Sequence, residues 1–179
     1  TLSSSSAASD VYKRQDMYTA TQTYDPNSEM HDPSGYTVIQ CTSFSGPMVA
    51  GAAAMVKQRK PGLTPAQIKS AVVNTASNTI HDFDGPARVT AVGAGKLNAD
   101  EAVHATVMAD PATLSFGVIG QASLPISLAL KLTNTGSVLV NLNLAVQPHD
   151  IDNNAGVVLT STNLALGAGQ TKTVTVSLE

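Results

Sequence analysis

Hydrophobic and polar positions are arranged in three successive patterns along the chain. From Asp16 to Gln40, short extended runs are punctuated by turn chemistry. Asp25-Pro26-Asn27-Ser28 and Asp32-Pro33-Ser34-Gly35 read as turns, and Tyr36-Thr37-Val38-Ile39 has the β-branched and aromatic content of a short strand. From Pro47 to Val56 no residue carries a polar side chain, which predicts a helix buried on every side. Thr42 and Ser43 are good N-cap types for it, and Pro47 is tolerable within a first turn.

That helix has clear stop signals. Lys57, Arg59 and Lys60 favour the negative C-terminal end as solvated side chains, and Pro61-Gly62 terminates the run. A second helix follows at once, with Thr64 as N-cap, Pro65 at the first helical position and Gln67 completing a capping box before Ile68, Ala71, Val72 and Val73. Residues 76 to 95 read as a polar loop, with Arg88 to Val92 the best extended stretch. Asn98 and Glu101 then cap a last helix expected from Ala99 to Val107.

After Asp110-Pro111 the helical period disappears. Strands are expected over Thr113 to Ile119, Pro125 to Thr133, Val138 to Val146, Val157 to Thr162 and Thr171 to Leu178, a spacing that indicates a β-sandwich. Leu128 to Leu132 and Thr173 to Leu178 alternate, so each should bury one face. Leu132-Thr133-Asn134-Thr135-Gly136-Ser137 reads as a hairpin turn between two strands.

Composition narrows the function classes. The chain has 179 residues, 42% hydrophobic, with net charge −3, so nothing is basic enough for nucleic acid. Its single cysteine excludes an internal disulfide, and no apolar run reaches membrane-spanning length. No signal peptide opens the chain, and no cofactor is implied. Residues 1 to 15 are set apart, because Ser5 to Gln15 resembles the in-frame translation of a transposase adaptor used in sequencing libraries.

Two acidic clusters read as solvated loops, leaving no metal site expected. His81, Asp82 and Asp84 lack a fourth ligand. Asp150, Asp152 and Asn154 begin like a calcium loop, but Ala155 replaces the required glycine and no glutamate stands at the twelfth position.

The candidate chemistry lies at the entrance of the apolar helix. A serine there sits where unpaired N–H groups and the positive end of the helix dipole stabilise developing negative charge. Thr42-Ser43-Phe44-Ser45-Gly46-Pro47-Met48-Val49-Ala50-Gly51 resembles the serine signature of the subtilisin-like proteases, Gly-Thr-Ser-x-Ala/Ser-x-Pro-x-x-Ala-Gly. Thr42, Ser45, Pro47 and Gly51 match, and Cys41 stands where the signature has glycine. The resemblance extends to Leu63-Thr64-Pro65-Ala66-Gln67-Ile68-Lys69 and to Gly93-Ala94-Gly95-Lys96-Leu97-Asn98-Ala99.

The resemblance implies that Ser43 is the acylating nucleophile and that its own N–H contributes to the oxyanion hole. It also implies that the catalytic aspartate, histidine and oxyanion asparagine precede the serine by long intervals, so His31 reads as a surface loop histidine. The implied architecture is α/β over residues 16 to 108, the C-terminal portion of a subtilisin-like domain. An all-β immunoglobulin or fibronectin type III-like sandwich follows over 109 to 179 and is cut short at its final strand. The parent would be a secreted serine endopeptidase acting on protein or peptide substrates, and this piece alone would be inert. The alternative is a non-catalytic protease-like scaffold presenting a β-sandwich binding module. A lipase-type esterase would need a Gly-x-Ser-x-Gly elbow, which the sequence lacks.

Overall fold

The computed structural model describes residues 17–25, 27, 31–39, 42–82, 85–87, 92–119, 124–148 and 156–179. The adaptor-like segment, Cys41 and the Asp150–Asn154 cluster lie outside them. Contacts divide the chain into two units, one within residues 1–50 and 78–96, the other comprising residues 51–77 and 97–179.

In the first unit, β1 (Met17–Ala20) pairs antiparallel with β2 (Tyr36–Ile39), with Tyr18 opposite Val38 and Ala20 opposite Tyr36. These four side chains are exposed on one face of the ribbon. Tyr18 and Tyr36 stack there with ring centroids 5.3 Å apart and planes at 13°. The expected turn before β2 is present: Gly35 donates to the Asp32 carbonyl at 2.9 Å, and Ser34 donates to Asp32 Oδ1 from its N–H at 2.8 Å and from its hydroxyl at 2.6 Å. Gly35 has φ +77°, a left-handed conformation that glycine adopts without a Cβ clash.

Helix α1 (Thr42–Arg59) begins in the first unit's residues and ends in the second's. Ser45, Ala52 and Val56 are buried and recur at helical spacing, so they form one stripe. The expectation of burial on every side is corrected by Met48, Val49 and Met55, which are 38%, 41% and 51% exposed. Apolarity all round shows that a helix can be buried all round; only neighbouring elements can do the burying.

The second unit is built around β5 (Val107–Asp110). Helix α2 (Pro65–Asn74) starts at the predicted capping box: Gln67 N–H donates to Thr64 Oγ1 at 3.3 Å and Thr64 N–H donates to Gln67 Oε1 at 2.9 Å. Helix α3 (Ala99–His104) is capped by Asn98, whose Oδ1 accepts from Glu101 N–H at 3.2 Å. It stops three residues before the expected Val107, because Val107 already belongs to β5. Met108, 2% exposed, packs with Val56, Leu63, Ala71, Val72 and Ala102 in a helical core.

Val107 and Ala109, on the opposite face of β5, pack into a second core with Leu130, Leu132, Leu166 and Val174. The two-residue alternation of a strand thus serves two cores from consecutive side chains. The expected boundary after residue 108 falls inside this strand.

The main sheet has the order β5-β6-β10-β8, where β6 is Ile126–Asn134, β8 is Val157–Leu159 and β10 is Thr171–Leu178. All its pairings are antiparallel, with β6 and β10 in register from Ser127 opposite Ser177 to Thr133 opposite Thr171. A second, two-stranded sheet pairs β7 (Val140–Asn143) with β9 (Asn163–Leu166). Its Leu142, Leu164 and Leu166 share the second core with the main sheet.

Two β expectations are corrected, and one unexpected strand is present. Thr113 to Ile119 forms no strand: β5 turns its outward edge to α2, Gly117 has φ +70°, and Val118 is wholly exposed. Leu132 to Ser137 is no hairpin turn, since β6 pairs with β5 and β10 while β7 pairs with β9. The strand β9 lies in a stretch that the sequence pattern left unassigned between Thr162 and Thr171.

The five-residue connection from β6 to β7, residues 135–139, is instead a crossing between sheets, held by the fully buried Asn134 at the end of β6. Its Nδ2 group donates toward the carbonyls of Val138 at 2.7 Å, Leu166 at 2.9 Å and Gly167 at 3.1 Å, and its Oδ1 accepts from Gly136 N–H at 2.9 Å. Two amide hydrogens are therefore shared among three carbonyls.

A small ribbon of β3 (His81–Asp82) with β4 (Gly85–Pro86) completes the assigned strands of the first unit. His81 is exposed, while Asp84 and Arg88 to Ala91 lie outside the described residues.

Candidate functional site

Ser43 is the second residue of the 18-residue helix α1, and it is an exposed residue. The N–H groups of a helix's first turn have no intrahelical acceptors, and the aligned peptides place about half a positive charge at that end. No acidic side chain in the first turn offsets it. A hydroxyl in this position faces donors suited to an oxyanion.

The neighbouring signature residues are each placed by the helix. Thr42 is its first residue and Ser43 its second, which corrects the reading of the two as N-cap residues ahead of the helix. Ser45, 8% exposed, turns its side chain inward two residues after Ser43. Pro47 is the sixth helical residue and so lies past the first turn where it was expected. Lacking an N–H, it cannot donate the backbone hydrogen bond that an ordinary residue at this helical position would make. Apart from the adjacent residues and the helix's own backbone, no described atom lies within 4 Å of the point a Cβ would occupy at Gly46 or at Gly51.

The far end of α1 is more firmly held than solvated lysines would make it. Lys57 Nζ donates to the carbonyls of Pro61 at 2.6 Å and Leu63 at 3.1 Å, and Lys60 Nζ donates to the Ala105 carbonyl. Lys60 is half-buried, and this desolvation, aided by the charge of Arg59, holds its ammonium pKa below the usual lysine value. The contact joins residues 45 apart in sequence, so no local pattern announces it.

His31 is exposed beside the Asp32 turn and bridges to Gln22 in the first unit. Asp32 has its pKa held below the ordinary carboxylate value. The Ser34 hydroxyl is the main cause, followed by the Ser34 N–H, with a smaller contribution from the charge of His31. The described residues contain no group of three metal-ligating side chains.

A model of the subtilase family of peptidases matches residues 4–105, more than half of the chain. The chain belongs to the subtilase family. The match spans α1, α2 and α3, and it takes in the whole adaptor-like stretch from Ser5 to Gln15. Among curated proteins, this subtilase chain is 40% identical over 93 residues to the minor extracellular protease Vpr of Bacillus subtilis (strain 168), covering 51% of the chain and 11% of that protein.

It is 39% identical over 75 residues to the subtilisin-like protease SBT1.2 of Arabidopsis thaliana, covering 38% of the chain and 10% of that protein. It is 38% identical over 71 residues to the alkaline elastase YaB of Bacillus sp. (strain YaB), covering 40% of the chain and 17% of that protein. The matched stretch therefore spans between a tenth and a fifth of these relatives. Among the described residues, no helix is long and apolar enough to cross a membrane.

Proposed function

We propose that this chain carries the nucleophile of a serine endopeptidase that hydrolyses peptide bonds through an acyl-enzyme on Ser43. The observation that carries the reading is the exposed Ser43 in the first turn of α1, within the segment matched by the subtilase family. In this mechanism Ser43 Oγ gives its proton to an imidazole as it attacks the substrate carbonyl carbon, forming a tetrahedral oxyanion that the Ser43 N–H helps to hold. Collapse breaks the C–N bond, the amine leaves with the proton, and water then releases the acyl group by the same steps in reverse order.

The base histidine, its aspartate and the oxyanion asparagine belong to upstream sequence in this reading, and the present chain alone is inert. The exposure of Met48, Val49 and Met55 supports it, because an apolar helix flank of this kind needs other elements of a complete domain to cover it. Residues 109 to 179 constitute an immunoglobulin or fibronectin type III-like module, a reading supported by two antiparallel sheets sharing one apolar core. The complete enzyme is secreted and acts on protein substrates, in keeping with the name of the relative described as a minor extracellular protease.

A fluorophosphonate probe tests the assignment. It should label the full-length protein, fail to label its Ser43→Ala variant, and fail to label the isolated 179-residue chain. Undiminished casein digestion by full-length Ser43→Ala would overturn the nucleophile, and labelling of the isolated chain at Ser43 would place the base within it.

A further inference from the structure

We draw no further inference here: the strongest candidate, the exposed ribbon face where Tyr18 stacks on Tyr36 beside Val38, is an unpartnered sheet face, and nothing in the structure shows what covers it.

Discussion

The backbone N–H of Ala109 donates to Ser70 Oγ at 2.7 Å, tying an edge strand to a helix across 39 residues of sequence. Ser70 is fully buried, and the same oxygen accepts from Asn74 Nδ2 at 3.0 Å. Because β5 lies at the sheet edge, its outward N–H groups need partners from elsewhere. Replacing Ser70 by Ala leaves the Ala109 N–H in a part-buried site without its acceptor, a loss of about 1–3 kcal/mol. The urea midpoint of the chain should fall with an unchanged slope, and faster exchange at the Ala109 amide should accompany it. An unaltered midpoint would show that water replaces the hydroxyl.

Met108 fills the helical core from the strand side. Met108→Ala should cost about 2–5 kcal/mol through lost burial and a residual cavity. The exposed Met55 provides the control: Met55→Ala should shift the same unfolding curve by less than about 0.5 kcal/mol. Equal effects of the two substitutions would contradict the packing described.

Asn134 joins the two sheets through donors, which its size alone could not do. Asn134→Ala should lower stability by about 2–4 kcal/mol, because the Leu166, Gly167 and Val138 carbonyls lose one shared partner. Asn134→Asp should be worse than Ala at neutral pH, since a carboxylate offers no donor to those carbonyls. Its folded-state pKa is then raised, so the variant should regain stability as pH falls toward about 4, the ordinary carboxylate value. Thermal melts at pH 7 and pH 4 distinguish the two variants, and an Asp variant indifferent to pH would contradict the donor role.

Asp32 gives the opposite sign. Its folded-state pKa is lowered by the Ser34 hydroxyl and N–H, so its contribution is fully present above the ordinary carboxylate value and is lost as pH falls through the lowered one. Ser34→Ala should raise the Asp32 pKa, read as a shift of its carboxyl carbon titration by NMR toward higher pH. An unmoved titration would remove the hydroxyl as the principal cause.

Cys41 departs from the serine signature at a position where glycine is the expected residue. If that backbone requires positive φ, a side chain there costs roughly 1–2 kcal/mol. Cys41→Gly in the full-length protein should raise kcat; an unchanged or lower rate would argue against strain at this position.

The residues that announce themselves in the sequence are those whose partners lie two or three positions away. Thr64 with Gln67, Asn98 with Glu101 and Ser34 with Asp32 were legible because a cap or a tight turn is a local hydrogen-bonding problem with few solutions. Ser43 at a helix entrance was legible for the same reason, together with the serine signature around it.

Tertiary structure decided the rest. It placed consecutive residues Val107, Met108 and Ala109 in two different cores, turned the expected hairpin at Asn134 into a crossing between sheets, and left one flank of α1 uncovered. Each outcome depends on which distant segment arrives at a surface. Hydrophobicity records how strongly a residue avoids water, and carries no label for the neighbour that will exclude it.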